Sequence, residues 1–155
     1  MTETERIINQ LDRAFNGGAW HGPAVFELLG DVSAEQALAR PVADAHTIWE
    51  IVLHIGAWLR AGHMRLQGER AQFTDTEDWP PVENIDGEAW AGVRDQLKHD
   101  YEELRKAIQL IDETRLDQPI LEGMSSVYVT LHGVLQHSLY HGGQIATLKK
   151  WKGNQ

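Results

Sequence analysis

Apolar residues recur at three- and four-residue intervals along four long stretches of this chain, and that periodicity commits most of it to helices. Strand signals are poor by comparison: alternating runs are few, and no Asn-Gly or Asp-Gly turn joins two of them. The first stretch covers about Thr4 to Phe15, with Ile7, Ile8, Leu11 and Phe15 on one side and Asn16-Gly17-Gly18 as its stop. A connector between Gly22 and Val42 holds two short helical turns, near Val25–Leu29 and Ala34–Leu38, the latter capped by Asp31 or Ser33. The second long stretch starts near Ala45 and ends at about Gln67, before Gly68. A loop, QFTDTEDWPPVENIDG, follows, in which two consecutive prolines forbid helix continuation. The third runs from about Gly87 to Ile111, with Asp100, Glu103 and Arg105 suggesting a solvated outer face, and the fourth from about Ser126 to Trp151. Four such helices joined by loops predict an all-α fold, a four-helix bundle, as one domain spanning residues 1–155.

Composition narrows the function classes. A net charge of -9 argues against nucleic acid, which rewards clustered Lys and Arg. Lys149, Lys150 and Lys152 do cluster, but at the end of a helix, where they complement its dipole. No apolar run reaches the roughly 20 residues of a membrane span, and MTETERIINQ lacks the apolar segment of a secretory signal, so a cytoplasmic setting without membrane contact is expected. With no cysteine, neither a disulfide nor a protein thiolate enters the chemistry.

The chemistry-bearing stretch is LQHSLYHGGQIATLKK, which sets His137 and His141 one helical turn apart. On a helical projection His141 and Gln144 lie within roughly 40° of His137, while the apolar stripe of Val127, Leu131, Leu135 and Ile145 is rotated by about 80–160°. The histidines thus sit at the shoulder of the buried face. In the second helix His54 stands in the same relation to Ile48, Val52, Ile55, Leu59 and Leu66, with Glu50 and Trp58 on its own stripe. If the two helices pack as neighbours, three imidazoles converge between them. Such a set suits a borderline divalent cation, zinc or nickel, and leaves a coordination position for water or substrate. Spacing alone also admits the plainer reading, amphipathic rings bonded to backbone or water.

The segments HTIWEIVLHIGAW, DWPP and HGVLQHSLYHGGQIATLKK, in this order and at these separations, resemble the DinB-like superfamily of small bacterial proteins. The resemblance covers nearly the whole chain, and its last segment is the most specific. It implies a four-helix bundle, a homodimer, and a divalent metal held by His54, His137 and His141. Zinc is the expected ion on grounds of cellular availability, with nickel as the other candidate. Members with assigned activities include thiol S-transferases that use a low-molecular-weight thiol cosubstrate, and a mycothiol-dependent maleylpyruvate isomerase. Others are assigned only as metal-dependent hydrolases, or have no assigned function. The resemblance therefore implies a metal-dependent enzyme acting on a small molecule and activating a thiol or a water. The alternatives are a hydrolase using the same centre, or a non-enzymatic metal-binding dimer or sensor.

Among the remaining residues, Gln144 is a candidate to orient bound water or substrate, or to bond between helices. Glu50 is a candidate to accept from a ligand histidine, or to form an exposed ion pair. Trp58, Trp79 and Trp90 are candidate pocket walls or core, and Tyr140 a helix or dimer contact. Gly142 and Gly143 suggest close helix packing. His46, His63, His99 and His132 fall off the ligand stripe and are expected to be solvated or structural.

Overall fold

Thr2, Thr47 and Ser126 each accept a hydrogen bond from the backbone N–H three residues on, and so open the helices Glu3–Asn16, Ile48–Leu66 and Val127–Leu148. At Thr2 and Thr47 the third residue of the helix, Glu5 or Glu50, bonds back to the cap N–H and completes a capping box. Asp86 does the same service as Thr47 for the helix Gly87–Gln109 through the N–H of Ala89. In the computed structural model, which describes residues 1–71 and 73–151, the helices in chain order are α1 (Glu3–Asn16), α2 (Val25–Leu29), α3 (Ala34–Leu38), α4 (Ile48–Leu66), α5 (Asp75–Asp78), α6 (Gly87–Gln109) and α7 (Val127–Leu148). A 3₁₀ turn, Glu113–Arg115, stands between α6 and α7. No strand forms among the described residues; one isolated antiparallel bridge joins Pro119 to Ser126.

The long helices α1, α4, α6 and α7 form the predicted bundle. α4 packs against both α6 and α7, and α1 packs against the same two. Their facing stripes build one core, centred on Phe15, Trp49, Ile55, Leu59, Leu97, Leu104, Ile108 and Ile145, each at most 2% exposed. Leaving water stabilises these side chains by about 1.5–3 kcal/mol each, which is why the 3.6-residue stripes decide the pairing. The short helices are accessory: α2 lies against α1 and α7, and α3 and α5 lie against α4.

Several boundaries differ from the periodicity reading. α4 begins at Ile48, because Thr47 caps it and Ala45 precedes the cap. Ser33, not Asp31, caps α3. Asp31 is instead paired with Lys149, whose ammonium also donates to the carbonyl of Leu28 and ties the end of α7 to the connector after α2. α7 accordingly stops at Leu148, three residues short of Trp151, and Lys149 forms a specific ion pair in place of a general dipole interaction. Lys152, the third lysine of that cluster, lies outside the described residues.

Close approach also falls at different glycines. A Cβ on Gly62 of α4 would stand 3.3 Å from Val134 Cγ2 of α7 and 3.5 Å from Leu104 Cδ1 of α6. One on Gly56 would stand 3.1 Å from Asp100 Oδ2. Gly142 has only an ordinary contact at 3.6 Å from Val25, and Gly143 has nothing within 4 Å. The tight packing is therefore where α4 meets its two neighbours, and the absent side chain at Gly143 leaves open space.

Candidate metal centre

Because α4 and α7 are neighbours, the shoulder positions of their buried faces meet, and His54, His137 and His141 come together. Each offers one ring nitrogen, and the three lie within 4.8 Å of one another. His137 Nε2 is 2.9 Å from His54 Nε2 and 3.1 Å from His141 Nε2. His54 and His141 are buried at 5% and 6% exposure, and His137 is half-buried. Among the described residues no other group of three histidines and carboxylates is so disposed.

The opposite ring nitrogens explain why the Nε2 atoms face inward. His54 Nδ1–H donates to the carbonyl of Asp78 at 2.6 Å, with Asp78 Oδ1 at 3.2 Å. A carbonyl only accepts, so the proton of a neutral His54 is on Nδ1 and its Nε2 carries a lone pair. His141 Nδ1–H donates to Gln144 Oε1 at 2.6 Å, with the same result. Burial, together with the neighbouring His141 and His54, pushes the His137 pKa down from 6.5 to about 4. Burial likewise lowers that of His141, against the hydrogen bond to Gln144. Both rings are neutral at neutral pH, the form that ligates a metal.

His137 Nε2 stands within hydrogen-bond distance of the Nε2 lone pairs of both His54 and His141, a position that a proton on His137 or a cation between the rings satisfies. Tetrahedral coordination with N–metal bonds of about 2.0 Å separates its nitrogens by about 3.3 Å, close to the two spacings observed. The all-imidazole donor set suits zinc or nickel and not the oxygen-seeking magnesium or calcium. The group is thus able to hold a divalent metal ion.

The loop carrying DWPP forms one wall. The Trp79 indole lies between two imidazoles, 3.8 Å from His54 at an interplanar angle of 2° and 3.5 Å from His46 at 9°. Trp58 Nε1 donates to Asp78 Oδ1 at 2.7 Å, so one aspartate ties α5, Trp58 and His54 together. Beside His141 opens a cleft of about 670 Å³, lined by Val42, His46, Trp79, Tyr140, Gln144 and Leu148 among others. That volume falls within the range of small-molecule sites.

The structure reassigns several sequence expectations. Gln144 makes no hydrogen bond to another helix among the described residues; its oxygen accepts from His141, three residues back on the same helix, and its side chain lines the cleft. Glu50 does not reach a ligand histidine. It accepts from Thr47 N–H, pairs with Arg40 at 2.8 Å and lies 3.4 Å from His46, so the ion-pair alternative is the observed one. Trp58 and Trp79 flank the centre, whereas Trp90 is core, donating to the carbonyl of Val32. Tyr140 meets His141 edge-on and is otherwise exposed at the cleft. His46 is structural, as expected, but through its stack on Trp79. Sequence reasoning gave no role to Asp78, although it lies in the DWPP segment; a carboxylate beside a loop tryptophan was the available signal.

A helical bundle with three inward-facing histidines on adjacent helices defines a class of small proteins with a metal-capable centre at one helix seam. The family model of the DinB superfamily matches residues 19–145, and the chain belongs to that superfamily. Its fold is similar to that of a crystal structure described as the conserved protein of a locus from Enterococcus faecalis, with a TM-score of 0.70 over 97% of this chain and 96% of that one. Identity between the two is 17%, so the likeness concerns the fold alone. No curated protein matches the chain.

Proposed function

We propose that this chain is a divalent-metal-dependent enzyme whose three-histidine centre activates a thiol or a water against a small-molecule substrate, in the manner of the thiol S-transferases. The observation that supports this most is the pre-set tautomer of two of the three rings: the Asp78 carbonyl and Gln144 Oε1 hold the protons of His54 and His141 on Nδ1, leaving both Nε2 atoms for a metal. His54, His137 and His141 would hold the ion, with zinc the first candidate and nickel the second. When bound, such an ion lowers the pKa of a coordinated thiol or water.

The chain's own residues supply the remainder. The cleft beside His141 admits the substrate, its apolar wall of Val42, Ile51, Trp79 and Leu148 taking an apolar body. Trp79 stacked on His54 keeps water from that face of the ring. Asp44, His46 and Tyr140 also line the cleft beside His141, where their polar atoms meet a bound substrate. A walled cleft reaching a ligand favours an enzyme over a binding-only sensor. With no cysteine in the chain, a transferred thiol comes from a low-molecular-weight cosubstrate. A homodimer belongs to this reading, and sedimentation of the untagged protein checks it.

The test is elemental mass spectrometry on untagged protein, wild type beside His137→Ala. About one ion per chain, lost in the variant, is expected for a three-ligand site. A metal-free wild type, with both proteins equally helical, overturns the reading. Given metal, loaded protein screened with thiols plus electrophiles and with esters separates transfer from hydrolysis.

A further inference from the structure

The first cleft lies beside the C-terminal half of α7, whereas a second, of about 320 Å³, flanks the centre beside the N-terminal half of that helix. It is lined by Trp58 and Arg65 of α4 and by Ser125, Val129, Thr130, Gly133, Val134 and His137. Unlike the cleft beside His141, it has an arginine in its wall. Arg65 is half-buried and, among the described residues, pairs with no carboxylate; its one hydrogen bond runs from Nη2 to the carbonyl of Ala71 at 3.1 Å. The guanidinium stands 5.6 Å from the centroid of Trp58, whose ring is in turn 5.5 Å from that of His137. A half-buried cation held by one hydrogen bond and an indole, without an anion, is a place where a ligand carboxylate gains a charge-assisted hydrogen bond.

A second observation falls at the same place. Among the described residues, four buried side-chain nitrogens lack a hydrogen-bond partner, and two of them, Arg65 Nε and His137 Nδ1, belong to residues that line this cleft. His54 and His141 each spend Nδ1–H on a protein acceptor; His137 alone does not. Buried polar atoms left unpaired cost free energy, which a shift of the side chain towards an arriving ligand recovers. The hydroxyls of Ser125 and Thr130 lie on the same wall, with no hydrogen bond to other described residues. Burial alone lowers the Arg65 pKa, with no neighbouring anion to oppose it.

We propose that the cleft between Trp58, Arg65 and His137 is a carboxylate subsite, which binds the acid group of a ligand at the metal centre and makes that ligand a carboxylate-bearing thiol. The carboxylate contact stands on Arg65 and its cleft; only the thiol half rests on the metal-dependent reading above. Two clefts flanking one centre, one with an arginine in its wall and one without, then suit two ligands: an acidic thiol on the His137 side and an apolar acceptor on the His141 side.

The first arm uses the full chain without metal. The Arg65 Nε–H resonance, assigned by its loss in Arg65→Met, is followed during titration with succinate and separately with inorganic phosphate. A saturable shift with succinate, weaker in Arg65→Lys, is expected, and phosphate is expected to shift it less. An unmoved resonance, or phosphate binding more tightly than succinate, overturns the carboxylate subsite. Thermal melts of both variants show that they are folded.

The second arm uses cobalt(II)-loaded protein and thiolate-to-cobalt absorption, with 3-mercaptopropionate and 6-mercaptohexanoate each set against the alcohol of the same length. At least one acid should bind about tenfold more tightly than its alcohol, the effect of one charge-assisted hydrogen bond, and Arg65→Met should abolish the preference without weakening the alcohols. Equal affinities in the wild type overturn the acidic-thiol assignment. Absence of any cobalt absorption overturns the metal reading instead, and the Arg65 resonance shift then decides the subsite alone.

Discussion

Gln144 holds His141 in the tautomer a metal requires, and its role was only half visible in the chain. Its place on the ligand stripe follows from being three residues after His141. That its oxygen accepts from His141 itself depends on the rotamers both side chains adopt beside the cleft. Gln144→Leu keeps the volume and removes the acceptor, and should weaken metal affinity by roughly 10–100-fold, measured by competition with a chromophoric chelator. Gln144→Glu keeps an acceptor and should lose less; equal binding by the Leu variant and wild type removes Gln144 from the centre. His137 gives a pH prediction. Its folded-state pKa of about 4 lies below the ordinary 6.5, so between those values the unfolded chain takes up a proton that the metal-free fold refuses. This group leaves stability unchanged above pH 6.5 and lowers it progressively from there towards pH 4. Melting midpoints in chelator across that range should fall less steeply in His137→Asn than in wild type.

At the scale of elements, α4 matters most, since it touches both partners in the bundle and carries His54. Its capping box was written in the sequence as Thr47 and Glu50, yet the periodicity alone started the helix too early, because Ala45 and His46 are compatible with a helical stripe until the cap is seen. Helix α5 was missed for the opposite reason: four residues, Asp75–Asp78, are too few to show a period. Gly62→Ala should cost about 1–3 kcal/mol in chemical denaturation, because its Cβ meets Val134 and Leu104 at 3.3 and 3.5 Å in a filled core. Gly143→Ala has open space around it and should stabilise α7 by up to about 1 kcal/mol in the same assay. Reversal of that order would mean that the packing between α4 and α7 is not as described.

For the whole molecule, the buried stripes of α1, α4, α6 and α7 close around Phe15, Trp49, Ile55 and Ile145, apolar side chains that pack without a ligand. Metal removal should therefore leave far-ultraviolet dichroism and a cooperative melt in place, while lowering the melting midpoint by an amount that grows with the concentration of metal withdrawn. Loss of the cooperative transition in chelator would show that the ion is part of the fold. No helix among the described residues is long and apolar enough to cross a membrane.

The sequence by itself determined the helical class, the four long helices and the three histidines, because periodicity and an i,i+4 pair are local properties, and the family's segments stand in their usual order. Tertiary structure alone decided that α4 and α7 are neighbours. That choice brings His54 to His137 and His141, sets Asp78 and Trp79 against His54 from a loop 24 residues away, and leaves Arg65 without an anion beside the centre. These are contacts between distant residues, fixed by how apolar faces pair and fill space, and no spacing along the chain encodes them.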